Sequence, residues 1–309
     1  MKSIRIGTRG SALALWQARH VQERLQQLPD TPAVELVIIE TQGDRDTQAS
    51  LSRIGGEGVF TKAIQDAVLA GKADVAVHSM KDLPTATVPG LTLAAIPERA
   101  SAFDAFVSRK HRRFAELPTG ARVATGSLRR RAQLLHHRPD LELVDIRGNI
   151  DTRLRKLSEL DLNGLILAEA GLCRLGLQSN IAEVLSVKWM LPAVGQGALG
   201  LECRSADHET QAVVCRLDEY SSRQSVLAER AVLRALGGGC QVPLGACAQH
   251  LKPEGPDGRR LRITAAVLSV DGRQRLRETL EGPEGAAEEL GIQLAEALLR
   301  SGARQFLSE

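Results

Sequence analysis

SIRIGTRGSALALWQARHVQERLQQL, residues 3–28, is the stretch that sets the fold class. Its opening, SIRIGT (3–8), alternates around Ile4 and Ile6 as a short strand does. From Ser11 to Leu28 the apolar residues recur at helical spacing, with Ser11 placed to cap the helix N-terminus. A strand running straight into a helix is the first half of a βαβ unit. The same grammar repeats downstream. VELVIIE (34–40) reads as a strand, VFTKAIQDAVLAG (59–71) as a helix closed by Gly71, and ADVAVHS (73–79) and LTLAAIP (91–97) as strands. This alternation predicts a parallel or mixed sheet covered by helices.

A second α/β unit begins near residue 98. FDAFVS (103–108), ARVAT (121–125), LELVDI (141–146) and GLILA (164–168) read as strands, with helices over 127–138 and 149–160. LPAVGQGALGLECR (191–204) reads as a connection followed by a strand. From residue 221 the pattern changes to one long helix, a glycine-cysteine loop, a hairpin (262–270 and 274–282) turning at Asp271-Gly272, and a final helix over 285–300. That sequence of elements predicts a small α+β unit.

The bulk numbers limit the function. The 309 residues are 43% hydrophobic and 25% charged, as expected for a soluble globular chain. No apolar run approaches the ~20 residues of a membrane helix. The short ALALW run lacks the features of a signal peptide, so a cytoplasmic protein with no membrane partner is expected. Five cysteines, widely spaced and without C-x-x-C, argue against a disulfide framework and a zinc site, so no metal is expected. Arginine greatly outnumbers lysine, and the guanidinium fork grips carboxylates at two points. Aromatics are only 3%, too few for base-stacking platforms. A small polyanion suits this composition better than a nucleic acid.

Arginines sit after strands in several places: Arg9 in GTRGS, Arg129 and Arg130 in TGSLRRR, Arg147 and Arg153 in DIRGNIDTRLRKL, and Arg174 in AGLCRLGL. Ligands of open α/β sheets bind at the carboxyl ends of strands, where helix N-termini add donors for anions. A single such arginine is ordinarily a solvated surface residue; their recurrence at strand ends points to one anion cleft. Lys81 and Asp82, in HSMKDLPT (78–85), also follow a strand. They read either as a surface ion pair or as a carboxylate acid/base beside a cation. The long polar loop TQGDRDTQASLSRIGGEGVF (41–60) reads as a disordered connection or as a lid. In LGGGCQVPLGA (236–246), the glycines before Cys240 allow a ligand close to the backbone. A buried inert thiol is the ordinary reading of a free cysteine; a thiol on such a loop is a candidate nucleophile.

Taken together, GTRGSALALWQ, HSMKDLPT, TGSLRRR, DIRGNIDTRLRKL, LAEAGLCRLGL, VGQGALGLECR and GGGCQVPLGA resemble the porphobilinogen deaminase (hydroxymethylbilane synthase) family. The matches run in order over residues 5–247. The resemblance implies an α/β fold of three domains. The first two are doubly wound mixed sheets like the lobes of periplasmic binding proteins, and the third is a small α+β domain. Their expected extents are 1–97 with 195–216, then 98–194, then 217–309, with crossings near 97–103 and 190–197. The implied activity is head-to-tail joining of four porphobilinogen molecules, with loss of ammonia, on a dipyrromethane cofactor. That cofactor is implied to be held to Cys240 by a thioether.

By motif, Lys81, Asp82, Ser127, Arg129 and Arg130 are implied to bind the cofactor. Arg9, Ser11, Arg147, Arg153 and Arg174 are implied to bind substrate. Asp82, Arg9, Arg147 and Arg153 are the implied catalytic set. The family is self-contained, which implies a monomer. One departure lies in RIGGEGVF, where Arg53 and Glu57 stand at positions that are lysines in many family members. Two other function classes fit parts of the sequence. A non-catalytic two-lobed anion sensor explains the arginines but leaves Cys240 and the third domain unexplained. Nucleic-acid binding through SLRRR and RLRK requires strongly salt-dependent affinity.

Overall fold

The computed structural model describes residues 3–40, 61–237, 242–251 and 258–307. Two compact units emerge: residues 1–100 with 198–223, and residues 101–197 with 224–309. The chain opens with β1 (Ser3–Thr8), α1 (Ala12–Gln26), β2 (Ala33–Ile38), α2 (Lys62–Leu69), β3 (Val75–Ser79) and β4 (Leu91–Ala95). In the second unit come β5 (Asp104–Val107), β6 (Arg122–Ala124), α3 (Leu128–His137), β7 (Glu142–Val144), α4 (Ile150–Glu159), β8 (Gly164–Ala168), α5 (Glu169–Arg174) and β9 (Ile181–Val184). β10 (Leu199–Arg204) and α6 (His208–Val214) return to the first unit. α7 (Tyr220–Ala235), β11 (Leu244–Leu251), β12 (Arg260–Leu268), β13 (Arg275–Pro283) and α8 (Ala287–Arg300) complete the chain.

The first unit's sheet has the order β2-β1-β3-β10-β4 among the described residues. β1 runs parallel to β2 and β3, whereas β10 is antiparallel to β3 and β4. This is the mixed sheet the sequence predicts. Ile4, Ile6, Val75, Val77 and Leu201 are buried against α1 residues Ala18, Val21 and Leu25. The amphipathic period of residues 11–28 therefore faces the sheet, and Ser11 caps α1 by accepting from Ala14 N at 3.3 Å.

The second unit holds two sheets. One has the order β7-β6-β8-β5-β9, with β6, β7 and β8 parallel and β5 antiparallel to both neighbours. The other is the antiparallel sheet β11-β12-β13, backed by α7 and α8 through a core that includes Val232, Leu261, Ile263, Leu294 and Leu298. The expected hairpin is present, and β11 adds a third strand that the local pattern does not predict. β11 and β12 pack along a seam against α3 and the segment that follows β9. Cys247 on β11 is buried there with Ala132, Leu191, Ala266 and Leu268. Gly245 is required at this seam, because a Cβ would stand 2.7 Å from Leu191 Cβ. At the hairpin tip Gly272 has φ +73° and lies against α3, where its carbonyl meets His136 Nδ1 at 2.9 Å.

Candidate functional site

In the first unit, the parallel neighbours β1 and β3 end at the same edge of the sheet. Arg9 and the α1 cap Ser11 follow β1; a 3-10 turn, Met80–Asp82, follows β3. This brings Arg9, Ser11, Lys81 and Asp82 to one edge. The turn is fixed from two sides. Gln17 of α1 donates to Ser79 Oγ at 2.8 Å, and Met80 N donates to Ala198 O at 3.0 Å. Met80 is buried above Gly200, where any Cβ would collide with its sulfur. Lys81 is half-buried and Asp82 is exposed, so the carboxylate is held out on a rigid turn. Beneath it, buried His78 faces Glu202 at 3.1 Å, and Gln65 donates to the same Glu202 oxygen at 2.8 Å.

In the second unit, β6, β7 and β8 are parallel and each leads into a helix. Ser127 caps α3, accepting from Arg130 N at 3.4 Å, and Asn149 caps α4, accepting from Thr152 N at 2.8 Å. These junctions carry Ser127, Arg129, Arg130, Arg147 and Arg153 after β6 and β7, while Arg174 is the last residue of α5, the short helix after β8. Arg147 is exposed and pairs with Asp145 at 3.2 Å. Arg153 is half-buried and donates to Gly148 O at 2.8 Å. Burial lowers the Arg153 pKa, as do neighbouring Arg130 and Arg147, while Asp145 opposes them. Arg174 donates to Gly197 O at 2.7 Å, and burial brings its pKa down to about 10.

Arg129 and Arg130 are not the solvated side chains that an ordinary arginine after a strand becomes. They are 5% and 6% exposed, and both guanidiniums engage the fully buried Asp104 at the start of β5. Arg129 Nη1 reaches Asp104 Oδ2 at 2.7 Å, and Arg130 Nη2 reaches Oδ1 at 2.7 Å. Arg130 also donates to Ile166 O at 3.1 Å. Asp104 is not among the residues the sequence motifs single out. Its signal was an acidic residue opening the apolar run DAFV, a placement that demands a buried cation. Gln196, also buried, was missed within LPAVGQGALGL for the same reason: a polar side chain in an otherwise apolar stretch.

Arg129, Arg130, Arg147 and Arg153 thus stand against Asp104 and Asp145, an excess of positive charge at one sheet edge. Such a cluster suits a ligand with several carboxylates. Cys240 and the loop segment 42–58 with Arg53 and Glu57 lie outside the described residues. α7, the helix before Cys240, ends at Ala235, and Gly237 beyond it has φ +62°. Cys247, the nearest described cysteine, is buried in the seam as a small apolar residue. Among the described residues, no group of three or more histidine, cysteine or acidic side chains could hold a metal ion. No described helix is long and apolar enough to cross a membrane.

The family model described as "Porphobilinogen deaminase, dipyromethane cofactor binding domain" matches residues 4–212, and the one described as "Porphobilinogen deaminase, C-terminal domain" matches residues 223–300. The porphobilinogen deaminase of Syntrophotalea carbinolica is 50% identical over 306 residues, covering 99% of this chain and 95% of that protein. That of Pelobacter propionicus is 48% identical, covering 100% and 97%. Among solved structures, a nutrient binding protein from Burkholderia cenocepacia bound to methionine is 13% identical and aligns with TM-score 0.44 over 74% of this chain and 94% of that one.

Proposed function

We propose which residues carry the reaction in this chain, which belongs to the porphobilinogen deaminase family. The enzyme is a hydroxymethylbilane synthase: it deaminates four porphobilinogen molecules, joins them head to tail and releases the linear tetrapyrrole. The observation that carries our residue assignment is the cation excess around Arg129, Arg130, Arg147 and Arg153. Each pyrrole ring brings an acetate and a propionate, so substrate and product are polycarboxylates that need such neutralisation. When bound, the dipyrromethane cofactor supplies the pyrrole carbon to which the first substrate is joined. Cys240 would hold it through sulfur, with Lys81, Ser127, Arg129 and Arg130 receiving its carboxylates and Asp82 its pyrrole N–H groups.

Asp82 is the proposed acid/base. Positive charge develops on the aminomethyl carbon of porphobilinogen as its C–N bond breaks and ammonia leaves with the electron pair. An anionic oxygen beside that carbon stabilises the charge. The same carboxylate accepts the proton that the attacking pyrrole carbon must lose as the new C–C bond forms. The rigid Met80–Asp82 turn supports this role by fixing the carboxylate while leaving it exposed. Arg9, Ser11, Arg147 and Arg153 are proposed to hold the incoming substrate, and Arg174 the growing chain. Residues 1–97 with 195–216, 98–194 and 217–309 are the proposed domains, the last carrying the Cys240 loop. A cytoplasmic monomer without a nucleic-acid partner completes the proposal.

Intact mass spectrometry tests the assignment. The purified chain should exceed its sequence mass by two linked pyrrole units, located on the peptide containing GGGCQVPLG, and it should release ammonia from porphobilinogen. Cys240→Ser should lack the adduct and the activity, while Cys247→Ser should keep both. An adduct on any other cysteine sinks the assignment.

A further inference from the structure

Asp104 occupies an expensive position. All four residues of β5 are buried, and a carboxylate there persists only if fully satisfied. Four donors satisfy it: Arg129 Nη1 at 2.7 Å on Oδ2, and Arg130 Nε at 3.0 Å, Arg130 Nη2 at 2.7 Å and Gln196 Nε2 at 2.9 Å on Oδ1. Burial alone would push the Asp104 pKa up; Arg129 and Arg130 overcome that and hold it well below the usual carboxylate range. The group therefore stays ionised at any working pH. Two adjacent guanidiniums repel one another, and a shared carboxylate is what allows them to lie side by side. One negative charge against two positive ones still leaves a net cation for an incoming carboxylate.

Gln196 extends the network. Its Nε2 also donates to Ala102 O at 2.7 Å, and its Oε1 accepts from Arg130 Nη2 at 3.4 Å. Ala102 and Gln196 lie at opposite ends of the 101–197 segment, next to the points where the chain enters and leaves the second unit. Asp104 is thus the place where the arginine pair and both crossing segments meet.

We propose that Asp104 is a positioning residue for the anion site: it holds Arg129 and Arg130 in the paired orientation that receives ligand carboxylates and, through Gln196, ties that pair to both crossing segments. The proposal rests on the site reading above. It assigns Asp104 no contact with substrate.

The test follows loading of the full-length chain, made in a host deprived of porphobilinogen and then given porphobilinogen. Gain of the two-pyrrole mass is timed at a temperature well below each variant's melting point, per folded molecule. Asp104→Asn keeps the shape and removes the charge that pairs the arginines, and should load at least tenfold more slowly than the parent. Gln196→Ala leaves all three charges in place but frees Asp104 on one side, and should load three- to tenfold more slowly. A purely structural ion pair would lower the melting temperature and leave the loading rate of folded protein unchanged. Loading of both variants within twofold of the parent overturns the proposal, whatever their stability. If Asp104→Asn does not fold, Gln196→Ala decides alone. A parent that gains no mass overturns the site reading itself, and this proposal with it.

Discussion

Replacing Glu229 with alanine should damage the second unit more than most single substitutions. Glu229 is fully buried on α7. Its Oε2 accepts from Gly195 N at 2.7 Å and its Oε1 from Ala248 N at 2.9 Å. One carboxylate therefore joins α7 to the segment leading out of the unit and to β11. Hydrogen bonds to a charged acceptor contribute roughly 1.5–3 kcal/mol each, so losing both removes about 3–6 kcal/mol. Glutamine keeps one acceptor oxygen and should lose about half of that. The assay is urea unfolding followed by tryptophan fluorescence. Trp16 and Trp189 are the chain's two tryptophans, so a Trp16→Phe background leaves Trp189 to report on the second unit alone. An alanine variant within about 1 kcal/mol of its parent would refute the claim that this carboxylate bridges three segments.

Asp82→Asn should keep the fold, because the carboxylate is exposed and its turn is held by Ser79 and Met80, while turnover falls by about 10²–10⁴; near-normal turnover in the purified variant removes Asp82 from the chemistry. Asp74 should give an acid-dependent term. Burial raises its pKa, but hydrogen bonds from Arg5 and Arg204 outweigh that and bring it from 3.8 to about 2. Its folded-state pKa is depressed, so this stabilisation of about 2 kcal/mol is present above pH ~4 and lost as pH falls through ~2. The stability gap between the parent and Asp74→Asn should close over that window, and a constant gap would contradict the assignment. Gly272→Ala should destabilise the second unit by about 2–4 kcal/mol, because Cβ would stand 2.6 Å from Ala132 O on a residue with φ +73°; thermal unfolding with no shift would show that the hairpin tip yields freely.

Local signals alone fixed much of this molecule. Residues 3–28 carried their strand, cap and helix in side-chain spacing, since an amphipathic period records which face will be covered. Asp271-Gly272 announced its hairpin because few residues adopt positive φ. That arginines follow strands was equally legible, because a strand's end is marked by the local pattern itself. Other elements left little trace. β11 is built from small residues buried without alternation, β9 is a four-residue edge strand, and α6 has only seven residues, too short for a clear period. Strand direction was also unreadable: nothing within LGLECR says that β10 lies antiparallel between β3 and β4, because neighbours are chosen by the whole chain. Above all, the sequence placed Arg129 and Arg130 after a strand but could not say what they touch. Asp104 lies 25 and 26 residues away in sequence, and only tertiary folding brings one carboxylate into the low-dielectric interior against both guanidiniums.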